Sequence, residues 1–274
     1  MSRNLPAERP VAVIKIGGSI LTSAKAYRRA AAFVRNRHRA APEENLVVVV
    51  SAQEGVTDRL EQAGEKIVRG PNPRALDLLW STGELRSVAL LALHLQALGV
   101  SAAALNIHEA GLRVSGDTDG RTCDANRVAV NARWIRSALA QNPVAVVPGF
   151  LATDATGAIV SLGRGGSDVT AVLLAEGLEA CRCELLKDVP GYFSSDPHRD
   201  PAARHLPSIT FDEALALADA GCDLVQRKAI EAAARCSLPL VIRSLEESAP
   251  LSRITVAHAE APWRDPVASG AVAS

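Results

Sequence analysis

The sequence predicts an α/β fold, an α/β/α sandwich around a mainly parallel central sheet. Two features carry that expectation: short runs that are apolar at every position, and amphipathic stretches that separate them. A strand with no polar face has to be covered on both sides, and a parallel sheet between helix layers does this. Composition agrees. Of 274 residues, 48% are hydrophobic and 22% charged. These are ordinary globular values, and they exclude disordered, collagen-like and low-complexity chains.

The elements follow in order. Residues 11–16 read as the first buried strand and 26–39 as the first helix. A second buried strand, 46–50, precedes a long helix over 76–98, with Leu85, Val88, Ala92 and Leu95 on one stripe. Residues 127–140 read as a helix and 144–147 as a strand. Ser167 is the expected N-cap of a helix in which Val169, Val172 and Leu173 keep helical spacing. Cys181 and Cys183 flank Arg182 in a strand ending at Glu184-Leu185-Leu186. Alternate strand residues share a face, so both cysteines are expected to be small buried hydrophobes. Thr210 and Glu213 form a capping box for a helix closed by Gly221. Asp223 and Gln226 read as a second box, opening a helix to about 235. Residues 240–242 are the last strand, and the tail over 265–274 is expected to be flexible.

Charge and cysteine usage narrow the partners. Thirty basic residues balance thirty acidic ones, and aromatics are only 3%. A nucleic-acid partner would want a basic field and stacking faces, so none is expected. Five cysteines, an odd number without a Cys-x-x-Cys pair, argue against a disulfide framework or structural zinc and for reduced thiols in a cytoplasmic protein. The apolar run at 11–14 is broken by Lys15, and 88–100 contains His94 and Gln96. Neither an export signal nor a membrane span is expected.

Five segments carry candidate chemistry. Lys15-Ile16-Gly17-Gly18-Ser19 follows a strand, and its glycine amides beside a lysine suit phosphate oxygens. Ser51-Ala52-Gln53-Glu54-Gly55-Val56-Thr57-Asp58 puts hydroxyls at a strand's carboxyl end, where α/β sheets bind ligands. Glu84 follows Gly83 within a long apolar helix. Leu162-Gly163-Arg164-Gly165-Gly166-Ser167-Asp168 opens a helix with free amides, a positive dipole end and a guanidinium fork, a fit for a carboxylate or phosphate. Lys187-Asp188-Val189-Pro190-Gly191-Tyr192-Phe193 runs on to Asp196-Pro197 through turn residues and acidic groups.

Taken together, these segments resemble the catalytic domain of the aspartate kinases, within the amino-acid-kinase family. Lys15 to Ser19 resembles that family's Lys-x-Gly-Gly-Thr/Ser opening. Val50-Ser51-Ala52 with Gly55-Val56-Thr57-Asp58 resembles Val-Ser-Ala-x-x-Gly-Val-Thr-Asp, and Glu84 falls at the glutamate of a Gly-Glu motif. Leu162 to Asp168 matches Leu-Gly-Arg-Gly-Gly-Ser-Asp letter for letter, and Lys187 to Pro197 resembles Asp-Val-x-Gly-x-x-x-x-Asp-Pro. The likeness covers about residues 10–256. It implies one amino-acid-kinase domain over 1–264, with an acceptor lobe near 10–150 and a nucleotide lobe near 151–264. It implies ATP as phosphoryl donor, with Mg²⁺ carried on the ATP phosphates, no metal ligands from the protein, and a small amino acid, L-aspartate, as acceptor.

The resemblance also implies roles. Arg164 would hold the substrate α-carboxylate and Glu84 its ammonium, with Ser51, Thr57 and Ser167 around the acceptor. Lys15, Gly17, Gly18 and Ser19 would hold the transferred phosphoryl group, Asp168 would hold Lys15, and Lys187, Asp188, Tyr192, Phe193 and Asp196 would face the nucleotide. A homo-oligomer, a dimer, is expected. One departure stands out. Where the family carries Gly-Ala-Lys-Val-Leu-His-Pro, this chain has Gly221-Cys222-Asp223-Leu224-Val225-Gln226-Arg227, so Asp223 replaces a lysine expected near the phosphates. Lys187, Arg227 and Lys228 are the candidates to compensate. Two other readings stay open: a different small acid or phosphate as acceptor, and a non-catalytic nucleotide-binding pseudokinase. The regulatory ACT domains of the family are not expected in the chain, nor feedback by lysine or threonine through them.

Overall fold

The structure, a computed structural model, describes residues 9–115, 127–163, 165–195, 200 and 202–257. The chain runs β1 (Val11–Ile16), α1 (Ala24–Ala40), β2 (Asn45–Val50), α2 (Val56–Ile67), α3 (Pro73–Ala97), β3 (Ala102–Ala104), α4 (Ile107–Ala110) and β4 (Leu112–Val114). It continues through β5 (Val128–Val130), α5 (Arg133–Leu139), β6 (Val144–Pro148), β7 (Leu151–Thr153), β8 (Ile159–Ser161), α6 (Gly166–Gly177) and β9 (Arg182–Leu186). Last come β10 (Tyr192–Phe193), β11 (His205–Leu206), β12 (Ser208–Thr210), α7 (Phe211–Asp219), α8 (Arg227–Arg235), β13 (Leu240–Arg243) and β14 (Ser252–Thr255).

Eight strands form the main sheet in the order β12-β14-β13-β9-β1-β2-β6-β3. Six of them run parallel; β14 is antiparallel to β13 and parallel to β12. The expected mainly parallel sandwich is therefore the observed one. Side chains alternate between the two faces. Val11 and Val13 of β1, Val47 and Val49 of β2 and Leu185 of β9 pack in one core with α5, α6, α7 and α8. Ala12, Ile14 and Ile16, with Val48 and Val50, pack in the other with α1 and α3. A four-stranded sheet, β5-β4-β7-β8, and the β10–β11 hairpin complete the fold. Among the described residues no helix is long and apolar enough to cross a membrane.

Four local expectations give way to other structure. Residues 128–130 form β5 rather than the start of a helix, because Val128 and Val130 pair antiparallel with Val114 and Leu112; α5 begins at Arg133. The residue that caps α6 is Gly165, at φ 71°, not Ser167, which is the second residue of the helix and is buried. Asp223 makes no cap. Gln226 is the N-cap residue of α8, with no side-chain cap bond, and Asp223 is exposed. Cys183 is buried as expected, but Cys181 lies before β9 and is exposed, its Sγ 3.1 Å from Glu44 Oε1. The Thr210–Glu213 box is present, and the Gly221 amide closes the turn after α7 on Ala218 O.

Strand β9 holds charges that periodicity alone does not explain. Glu184 is fully buried, and Arg37 of α1 donates to its Oε1. Arg182 Nε lies 2.7 Å from the same oxygen, and Arg182 also pairs with Glu44. Arg243 Nη1 of β13 stands 3.6 Å from Glu184 Oε2. The cluster ties α1, the turn just before β2, β9 and β13 together. Removing one partner from such a buried set strands the others in a low dielectric. Glu184→Ala is therefore expected to cost about 3–5 kcal/mol, read from urea unfolding at neutral pH. A loss under about 1 kcal/mol, the range of an exposed pair, would mean that solvent screens the cluster.

Candidate functional site

The parallel strands β1, β2 and β9 end side by side, and the loops that follow them build one cleft of about 370 Å³. At the end of β1 the chain turns on Gly17, whose carbonyl accepts from the amides of Ile20 and Leu21. Gly18 sits against the next loop so closely that a Cβ there would stand 2.7 Å from Ala52 O. That backbone contact is open to glycine alone. The loop after β2 brings Ser51 to the cleft, the first turn of α2 brings Thr57, α3 brings Glu84, and the start of α6 brings Ser167 and Asp168.

Asp168 is the electrostatic centre. It is buried, its Oδ1 lies 2.8 Å from Lys15 Nζ, and its Oδ2 lies 2.8 Å from Lys187 Nζ. Burial alone would raise its pKa. The charges of Lys15 and Lys187 and their hydrogen bonds outweigh that and hold the carboxyl at about 2. Lys15 is the polar member of the alternation in β1: after Val11 and Val13 it points into the α6 layer, toward Asp168. Burial lowers the pKa of Lys187, which Asp168 opposes.

Glu84 is buried in the cleft wall, and its Oε2 has no hydrogen-bond partner among the described residues. Burial pushes its pKa up to about 8, against a backbone hydrogen bond at Ala52 and the charge of Lys15. An acid held protonated beside an open cleft is poised to receive a cation, which would restore its charge.

The expected residues thus converge in large part. Lys15, Gly18, Ser19, Ser51, Thr57, Glu84, Ser167, Asp168 and Lys187 line the cleft, and a Cβ at Gly17 would meet Lys15 Nζ at 3.0 Å. Asp188 instead lines a neighbouring cavity of about 340 Å³, with Pro190, Arg29 and Leu245; Ser19 and Lys187 stand in the walls of both. Tyr192 is buried, its amide donating to Ser252 Oγ, and the Phe193 ring meets His205 edge-on at 5.3 Å; neither lines the cleft. Arg164 and Asp196 lie outside the described residues.

Three cleft features were not anticipated. Phe150, at φ 70°, enters the wall, its amide donating to Thr170 Oγ1. Gln226 lies over Gly165, where a Cβ would come within 1.9 Å of Gln226 Cγ. Gln53 donates to Thr22 O at 3.0 Å and accepts from Arg86 at 3.1 Å, stitching the two loops to α3. Only the glycine–proline character around Phe150 hinted at a turn; the other two are tertiary contacts without a local signal. Among the described residues no group of three or more His, Cys, Asp or Glu is placed to hold a metal ion.

The raised pKa of Glu84 has a consequence for stability. Between its ordinary value of 4.5 and about 8 the folded chain holds a proton on Glu84 that the unfolded chain has lost. Stability should therefore fall as pH rises through that window. Glu84→Gln should remove this slope, so its melting temperature gains on the wild type between pH 5 and pH 8.5. Parallel curves for the two proteins would place an ordinary carboxyl at this position.

Comparison with known proteins agrees with the geometry. The model of the amino acid kinase family matches residues 10–244. The chain is 37% identical over 259 residues to an aspartokinase of Pseudomonas aeruginosa, covering 94% of this chain and 61% of that one. It is 43% identical over 199 residues to an aspartokinase of Thermus thermophilus, covering 73% of this chain and 48% of the relative. The chain thus spans between about half and three fifths of the curated relatives it matches. Among solved structures, the aspartate kinase from Synechocystis superposes with a TM-score of 0.75 at 31% identity, over 91% of this chain and 40% of that one. Uridylate kinase from Archaeoglobus fulgidus, 18% identical, shares the fold with a TM-score of 0.62, over 89% of this chain and 99% of its own.

Proposed function

This chain belongs to the amino acid kinase family, and from that premise we propose that it transfers the γ-phosphoryl group of ATP to the side-chain carboxylate of L-aspartate. A carboxylate oxygen bonds to the γ-phosphorus, the bond to the β–γ bridging oxygen breaks, and 4-phospho-L-aspartate and ADP leave. The observation that carries the reading is the pair of ammonium groups on the buried Asp168, set beside the glycine loop and facing Glu84, Ser51 and Thr57 across one cleft. The relatives named aspartokinase support the choice of acceptor.

Such a transfer needs no covalent enzyme intermediate. It needs two anions aligned and the charge of the transferring group balanced. Glu84 receives the ammonium of the amino acid, and the Arg164 fork takes its α-carboxylate. Ser51 and Thr57 orient the reacting carboxylate, with Ser167 beside them. Lys15 and the amides of Gly17, Gly18 and Ser19 meet the phosphoryl oxygens, and Asp168 keeps Lys15 in place. Lys187 and Asp188 face the nucleotide, and the turn through Tyr192 and Phe193, which line neither cavity, backs them. The fit for a triphosphate is the glycine loop in backbone contact with its neighbour and two cations at its base. Mg²⁺ enters on the ATP phosphates, as is usual for this ion. In this reading 10–150 form the acceptor lobe and 151–264 the nucleotide lobe of one domain. The cytoplasm and a homodimer are the setting we propose, the dimer to be tested by light scattering.

The decisive assay is ADP release over a panel of amino acids and small acids. Release that saturates with L-aspartate is expected. Release with another acid alone would reassign the acceptor, and none with any acid, despite MgATP binding, would make the chain a pseudokinase. Lys15→Ala should lower kcat far more than it weakens MgATP binding, since its charge acts mainly in the transition state. Arg164→Lys should raise the aspartate KM while leaving the ATP KM nearly unchanged, because a bidentate fork becomes a point charge.

A further inference from the structure

We infer that Lys187 is the second cation on the transferring phosphoryl group and supplies the positive charge that the approach to α8 lacks. The inference rests on the kinase reading above and deepens it. When a triphosphate and a carboxylate meet, negative charge spreads over the three equatorial oxygens of the group in flight, and fixed cations around it set the barrier. The resemblance puts one of those cations where this chain has Asp223. That residue is exposed, and it is not among the residues lining the cleft.

Three side chains could supply the charge instead, and their placement separates them. Arg227 is committed elsewhere, with its Nε 2.9 Å from Glu231 Oε1 and its Nη1 on Asp219. Lys228 is exposed on α8 and does not line the cleft. Lys187 stands in the cleft wall with its side chain 13% exposed and its Nζ 2.8 Å from Asp168 Oδ2.

The backbone fixes that position. Strand β9 pairs with β1 up to Leu186 and Ile16, so Lys187 leaves the sheet beside the Gly17 turn. Its amide donates to Arg243 O at 2.8 Å, which ties it to β13 as well. Two ammonium groups therefore hold one carboxylate, one on each oxygen. The three groups carry one net positive charge in a buried place, and an anion arriving between the lysines balances it. The wall position in both cavities puts Lys187 where groups from either side meet.

The test uses the whole chain, with ADP release for turnover and calorimetry for MgATP. Lys187→Met should lower kcat about 100-fold or more, the range for loss of one preorganised electrostatic group, with MgATP affinity changed less than about tenfold. Lys187→Gln keeps a hydrogen bond to Asp168 without the charge and should lose as much. Lys187→Arg keeps the charge and should recover a substantial part of the loss. If either neutral variant, folded by circular dichroism, keeps kcat within about threefold of the wild type, the lysine is only a structural support and the inference falls. A wild type that binds MgATP but turns over no acid would refute the kinase reading and leave Lys187 to calorimetry. There, MgATP binding weakened about threefold or more in Lys187→Gln sustains its place on the phosphates, and binding changed by less than about threefold overturns it.

Discussion

Asp168 is a single carboxylate that makes a buried lysine and a half-buried one tolerable. Each ammonium taken from water costs several kcal/mol unless a counter-charge meets it closely, and one side chain meets both, an oxygen apiece. Much of the architecture serves that meeting. Strands β1 and β9 must be neighbours, so that Lys15 and Lys187 leave the sheet side by side. Helix α6 must start at the sheet's carboxyl edge, and it does so by a left-handed turn at Gly165, with Gln226 folded over the glycine. A larger residue at Gly165 would push Gln226 away and shift the first turn of α6, and Asp168 with it.

The layers were legible because residues 11–16 and 46–50 leave no face for water, and such strands have few places to go. The loops of the cleft were legible for a related reason. Glycines, hydroxyls and charges placed directly after buried strands stand where this class of sheet binds ligands, and the Leu162–Asp168 segment combined several of these signals. Lys15 could even be paired with Asp168 in advance, through the resemblance.

What stayed hidden depends on contacts distant in sequence. Ser167 has the chemistry of a cap, yet the turn needed a positive φ, which Gly165 supplies two residues earlier. Asp223 and Gln226 have the spacing of a capping box, but Gln226 is drawn toward Gly165 and the cap is never made. Val128 and Val130 lie in a stretch of helical spacing and become a strand because β4 offers them partners. Glu184 looks misplaced in a buried strand until Arg37 and Arg243 arrive from α1 and β13 to join Arg182 of its own strand. Apart from Gly165 for Ser167 and Arg182 for Glu184, each two residues away, these partners lie more than a dozen residues off in the sequence.

The alternation in β1 also bears on how the chain avoids misassembly. Val11 to Ile14 and the valines of β2 are apolar toward both layers, so sliding one strand past the other by a single residue would leave their burial almost unchanged. Lys15 would not be indifferent. A slip of one residue turns every side chain to the opposite face. It would carry the ammonium group away from Asp168 and in among Tyr27 and Leu91 of the opposite layer, with no counter-charge waiting. The lysine is thus a registration mark for the central strands, and a chain that pairs them out of step is penalised by the same charge that completes the cleft.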